Sequence, residues 1–190
     1  MMMRCIRTLT VAELPKYRDH LLRLDAKDRR LRFGFIIDHA GIREHIRRLD
    51  PRTDRIIAQI DDDLRVVGAA HIAPADDDAV ELALSVDRSW RGRGLGAELF
   101  DEAVLRARNR GMRRLYIYSL VDNQAMRHLA RKAGMAMHSG AGESEACLAL
   151  PPPTPLSLLR ELASERWGMY DYSVKANRRA RRPLVALSAV

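Results

Sequence analysis

Ser89-Trp90-Arg91-Gly92-Arg93-Gly94-Leu95-Gly96-Ala97 carries two overlapping glycine patterns that lead to different chemistries. Read from Gly92 it is G-x-G-x-x-A, the turn of a dinucleotide-binding βαβ unit. That motif needs its first glycine directly after a strand and an acid about 20 residues later. Here four residues separate Val86 from Arg91, and Asp122, the acid that ends the next strand, lies 30 positions beyond Gly92. Read from Arg91 it is R-x-x-G-x-G. In such a loop the missing Cβ atoms let consecutive N–H groups converge on phosphate oxygens at a helix N-terminus, with Arg91 and Arg93 adding charge. A second chemical feature lies upstream in "VELALSV". Strand alternation puts Glu81, Ala83 and Ser85 on one face and Leu82, Leu84 and Val86 on the other. A carboxylate between small side chains has room beside it for a reacting group, although a strand glutamate can equally pair with an arginine or face solvent.

The elements that must position these residues follow from periodicity. "IRTL" reads as a short strand, and Thr10 with Glu13 forms a capping-box spacing ahead of a helical stripe at Leu14, Tyr17, Leu21, Leu22 and Leu24. Further helical segments fall near Arg29–Phe33 and Ile42–Leu49. "RIIAQI", "RVVGAAHI" and "AVELALSV" read as three antiparallel strands joined by aspartate-rich turns. After the glycine loop come a helix ending near Gly111, the strand "RLYIYSL", a helix capped by Asp122 or Asn123 and ending at Gly134, and two strands around Gly140–Gly142. "PPPTP" at 151–155 marks a boundary: 1–150 is one domain, and 151–190 is a Pro-rich linker, an amphipathic helix and a basic tail. That helix is expected from Pro155 to a stop at Gly168, with Leu158, Leu159, Leu162 and Ala163 inward, docked on the domain or on a second subunit as a homodimer. The stretch "VKANRRARRP" is expected to be mobile.

Composition removes several classes. No apolar run approaches the roughly 18 residues of a membrane span, and "MMMRCIRTLT" has no secretory h-region, so a cytoplasmic setting without membrane contact is expected. Two isolated cysteines and six histidines without ligand spacing make neither a disulfide framework nor a metal site. The net charge of +8 favours anionic partners. With 5% aromatic residues and no reading motif, a nucleic-acid binder is not expected.

From Arg4 to Leu150, and most closely from Glu81 to Met135, the chain resembles the GNAT (Gcn5-related) N-acetyltransferase family. "VELALSVDRSWRGRGLGAELFDEAVLRARNRGMRRLYIYSLVDNQAMRHLARKAGM" looks like the family's fourth strand, pyrophosphate loop, following helix, fifth strand and next helix. It is more similar to bacterial Pat-type protein lysine acetyltransferases than to many other members. The resemblance implies an α/β GNAT fold, a mixed, mostly antiparallel sheet of about seven strands flanked by helices, opened near the end of strand 4 to admit acetyl-CoA. It implies main-chain amides of Arg91, Gly92, Arg93, Gly94, Leu95 and Gly96 at the pyrophosphate, Leu84, Ser85 and Val86 along the pantetheine, and Asn123 on the cofactor arm.

The implied activity is acetyl transfer from acetyl-CoA to a primary amine, a protein lysine, with a small-molecule amine or an amino acid as the alternative acceptor. An alkylamine with a pKa near 10.4 is protonated at neutral pH and needs a base; the resemblance assigns that role to Glu81. Many members carry a tyrosine seven residues after the motif asparagine as general acid, and here that position is Ala130. Tyr116 and Tyr118 share a strand face and are candidates to replace it, with core packing as their other reading. His71 and His138 read as structural, and Trp90 as packing. A CoA-binding regulatory module without turnover is the rival reading.

Overall fold

Small and β-branched residues concentrate between Arg55 and Val86, and three strands form there in succession: β2 (Arg55–Ile60), β3 (Val66–Asp76) and β4 (Ala79–Val86). They pair antiparallel, and β1 (Ile6–Thr8) continues the sheet beyond β2. On the other side β4 runs parallel to β5 (Arg114–Leu120), which pairs antiparallel with β7 (Glu143–Ala149) and through it with β6 (Ala136–Gly140). The seven-stranded order is β1-β2-β3-β4-β5-β7-β6. The computed structural model describes residues 5–140 and 142–187, so Ala141 in the expected Gly140–Gly142 turn lies outside the described residues. Among these residues no helix is long and apolar enough to cross a membrane.

Helices cover both faces. The Thr10–Glu13 capping box forms over a 3-10 turn and leads into α1 (Leu14–Arg23). Asp25 caps α2 (Ala26–Phe33) and Asp38 caps α3 (His39–Arg48), each accepting from an amide three residues on. α1 and α3 pack Tyr17, Leu21 and Ile42 on Ile56, Ala58, Val66 and Ala69. The opposite face carries α4 (Leu95–Asn109) and α5 (Gln124–Lys132), whose Leu99, Phe100 and Ala130 meet Ile57, Val67, Leu82 and Ile117. Gly68 sets how closely α4 approaches: a Cβ there would lie 2.8 Å from Leu95 Cδ2. Because Gly68 pairs with Val86, this contact seats the N-terminus of α4 over the end of β4.

The C-terminal segment departs from expectation. One helix, α6, spans Pro155–Leu187, so Gly168 does not end it and "VKANRRARRP" is helical. Gly168 serves close approach instead: a Cβ there would lie 2.7 Å from Arg7 Cβ. The docked side is polar. Glu165 accepts from Thr8 N at 3.0 Å and Arg106 Nη2 at 2.8 Å, and Asn109 donates to Glu161 at 2.6 Å. Leu158, Leu159, Leu162 and Ala163 point outward, with Leu159 63% exposed. Specific hydrogen bonds to a buried arginine outweighed the apolar stripe in choosing the inner face.

Candidate active site

β4 and β5 pair only over Ala79–Glu81 and Arg114–Tyr116, and beyond that point they diverge. Glu81 is therefore the last paired residue of β4, opposite Tyr116 at the base of a fork. The β4 residues beyond it pair with β3 as far as Val86, which leaves their second backbone edge facing the gap. The side-chain alternation matches expectation: Leu82, Leu84 and Val86 pack into the α4 side, while Glu81, Ala83 and Ser85 face the α1–α3 side.

A cavity of about 790 Å³ opens on that side, lined by Glu81, Ala83, Ala73, His71, Tyr118 and Glu145 on the sheet and by Arg32 and His45 opposite. The Glu81 carboxylate makes no hydrogen bond or ion pair among the described residues. Tyr118 is 53% exposed and stacks on Tyr116 with ring centroids 6.0 Å apart, so these tyrosines line the fork instead of filling the core. Burial, then the Glu145 and Glu81 carboxylates, push the Tyr118 phenol above its usual range. Burial, then Arg32 and His71, hold His45 down to about 4, so it is neutral at physiological pH. His71 Nε2 lies 2.6 Å from Asp54 Oδ1. Burial opposes the ionised form of Asp54, but the hydrogen bonds from His71 and the Asp50 amide outweigh it and keep its pKa low.

At the open end, a 3-10 turn (Arg88–Trp90) leads into the glycine loop. Gly92 and Gly94 have φ of 70° and 82°, a region that a Cβ disfavours. The first hydrogen bonds of α4 run from Ala97 and Glu98 to the Gly94 carbonyl, so the N–H groups of Leu95 and Gly96 precede the ladder. A Cβ built on Gly92 or Gly96 would meet nothing within 4 Å. α2 spans the fork above: Asp28 holds Arg91 at 2.6 Å, Arg30 holds Asp122 at 2.8 Å, and Asn123 Nδ2 donates to the Leu31 carbonyl at 3.2 Å.

A splayed parallel pair with a glycine loop at its mouth organises the site. Residues 19–135 match the model of the Acetyltransferase (GNAT) family. The chain belongs to the GNAT family. No curated protein matches it. Solved structures share the GNAT fold: the GNAT domain of S. lividans PAT has a TM-score of 0.65 at 19% identity, over 76% of this chain and 89% of that one. The ribosomal-protein-alanine N-acetyltransferase from Brucella melitensis gives 0.58 at 21%, over 76% and 99%. A phosphinothricin acetyltransferase from Sinorhizobium meliloti, in complex with AcCoA, gives 0.60 at 18%, over 81% and 95%.

Within this GNAT fold the expected site residues divide by what their side chains do. Glu81 faces the cavity. The Ser85 hydroxyl turns away from the fork to His20 Nε2 at 2.9 Å, and His20 Nδ1 lies 2.9 Å from Asp87. The order Ser–His–Asp is that of a hydrolytic triad, but His20 is 0% and Ser85 8% exposed, so the line fastens α1 to β4. Arg91 N is bonded to the Arg88 carbonyl, which removes that amide from the expected phosphate set, and its side chain is held by Asp28 and the Val86 carbonyl. Leu95 offers only its N–H, its side chain being core. Arg93 lies over the Trp90 ring at 5.9 Å, and Trp90 packs as expected. Asn123 Oδ1 caps α5 through Met126 N, so both ends of its amide are engaged. Ala130 is buried in the core. Arg32, Asp28 and Asp54 went unread because their partners are brought to them only by the fold; His71 is hydrogen-bonded as expected but lines the cavity.

Proposed function

We propose that the chain transfers the acetyl group of acetyl-CoA directly to a primary amine. The observation that carries this reading is the unpaired Glu81 carboxylate at the base of the β4–β5 fork, inside a cavity with room for an acceptor. Glu81 takes the proton from the acceptor ammonium, directly or through water. Tyr118, kept protonated by burial and by Glu145 and Glu81, holds a proton at Oη for the departing sulfur.

The residues present fit the cosubstrate. The N–H groups of Gly92, Gly94, Leu95 and Gly96, with Arg93 beside them, suit a diphosphate, and the unpaired edge of Leu84–Val86 suits the amides of a pantetheine arm. Acetyl-CoA supplies a thioester carbon open to attack by a neutral amine. Ala83 and Ala73 leave space beside Glu81 for the amine to approach.

The acceptor is a protein lysine, as the Pat-like segment suggests, or a small amine. The solved relatives bear different acceptors in their names, so the shared fold does not choose between them. A CoA-binding module without turnover would leave Glu81 and Tyr118 no task. Cys5 and Cys147 form no disulfide among the described residues, which accords with a cytoplasmic setting, and the outward leucines of α6 support a homodimer. Calorimetry with acetyl-CoA, followed by labelled transfer to an amine panel and to total cell protein, tests the reading; absence of both binding and transfer overturns it.

A further inference from the structure

Arg32 faces the acceptor cavity, and among the described residues no carboxylate forms an ion pair with it. Nearby arginines are ion-paired, Arg30 with Asp122, Arg91 with Asp28 and Arg23 with Asp87, whereas Arg29 on the same helix, like Arg32, keeps buried nitrogens without a partner among the described residues; of the two, Arg32 lines the cavity. Among the described residues Arg32 instead donates from Nη2 to Tyr17 Oη at 3.1 Å and lies 3.5 Å from His71 Nδ1, while its buried Nε has no partner. The guanidinium has only donors, so the His71 nitrogen facing it is the unprotonated one. The His71 proton then sits on Nε2 and is given to Asp54 at 2.6 Å. Asp54 is thus hydrogen-bonded to His71, which stands between it and Arg32, so the Asp54 carboxylate does not touch the guanidinium. Phe33, with its ring centroid 4.9 Å from the guanidinium, provides a further wall.

Glu81 stands on the same sheet face. Ala73 is its partner across β3–β4, and His71 is the partner of Ala83, so Glu81 and His71 are diagonal neighbours, about 7–8 Å apart at Cα. One cavity therefore offers carboxylates at Glu81, Glu143 and Glu145 and, beyond His71, a planar cation with donors to spare. A cation taken partly out of water needs an anion, and a guanidinium fork matches the two oxygens of a carboxylate.

The geometry points to an acceptor that is a small amino acid, its carboxylate held by Arg32 and its amine presented to Glu81. This inference rests on the proposed amine acetylation and narrows its substrate to zwitterions. An internal protein lysine brings no carboxylate of its own and leaves Arg32 unmatched. The cavity, about 790 Å³, falls in the range of small-molecule sites.

The test measures kcat/KM of the full chain with acetyl-CoA for the standard L-amino acids, each beside the amine left by removing its carboxylate, and for a terminally blocked peptide with an internal lysine. At least one amino acid is expected to exceed its matched amine and the peptide by about 10²-fold or more. Arg32→Met is expected to lower that amino acid's kcat/KM by a similar factor and bring the ratio near one, with Arg32→Lys recovering part of it. The wild-type ratio needs no variant and so does not depend on how the variants fold. Equal use of matched amines, or a better rate on the peptide, overturns the amino-acid assignment and leaves amine transfer standing. Measured acetyl-CoA binding with transfer to no amine overturns both.

Discussion

Glu81 and Tyr116 form the last paired step between β4 and β5, and the two strands separate immediately beyond it. The carboxylate therefore sits where the sheet opens, and among the described residues no cation is bonded to it. Glu81→Gln is expected to lower kcat by about 10² to 10⁴, the range of a general base. Acetyl-CoA affinity by calorimetry should change little, and unchanged turnover would rule the residue out.

In the proposed reaction Tyr118 has the complementary task. Its raised pKa keeps the phenol protonated through neutral pH, so any loss of rate from its ionisation belongs above the usual value of about 10. Tyr118→Phe is expected to reduce kcat by at least about tenfold and to abolish the alkaline limb in a pH–rate profile extended to that region. A profile identical to the wild type would remove Tyr118 from the mechanism.

Gly94 caps α4 with φ of 82°. Gly94→Ala is expected to cost about 1–2 kcal/mol in denaturant unfolding and to raise the KM for acetyl-CoA, because the strained loop re-aims the N–H groups of Leu95 and Gly96.

Glu13 governs acid stability. Burial opposes its ionised form, but hydrogen bonds from Arg7 and from the Thr10 amide, with the Arg7 charge, outweigh it and hold the pKa at about 2, below its ordinary value of 4.5. The stabilisation is complete above 4.5 and is lost as pH falls toward 2, on the order of 2 kcal/mol with solvent screening allowed for. Glu13→Gln should flatten that part of a urea-midpoint titration, and an unaltered slope would remove Glu13 as its source.

Glu165 joins α6 to the domain through Arg106, which is fully buried and also paired with Glu102. Glu165→Ala leaves that guanidinium short of a partner, and a loss of about 3 kcal/mol is expected in chemical denaturation.

The strand and helix order was legible because its signals are local. Alternation in "VELALSV" placed Glu81 on the correct face, and the capping box and the stops at Gly111 and Gly134 act within a few residues. α6 was misread for the opposite reason. A glycine after a leucine stripe resembles a helix stop, whereas Gly168 is small because β1 lies against it, and Arg7 is 161 positions away. The cavity was half legible: its glutamate stood in a readable strand, but Arg32 belongs to a run of arginines with nothing to mark it, and Asp54 meets His71 only through the β2–β3 pairing. Ser85, Asn123 and Arg91 show the same limit, since each spends its side chain on a tether from α1 or α2.

α2 is fastened at Asp28 to the rim that begins the glycine loop and at Arg30 and Leu31 to the rim that ends β5, and it carries Arg32 on its last turn. Displacing this helix at one bank of the fork strains its moorings at the other. On the proposed assignments the donor loop and the acceptor cavity thus share a single mechanical part, and any coupling that it carries between their occupants is equal in both directions.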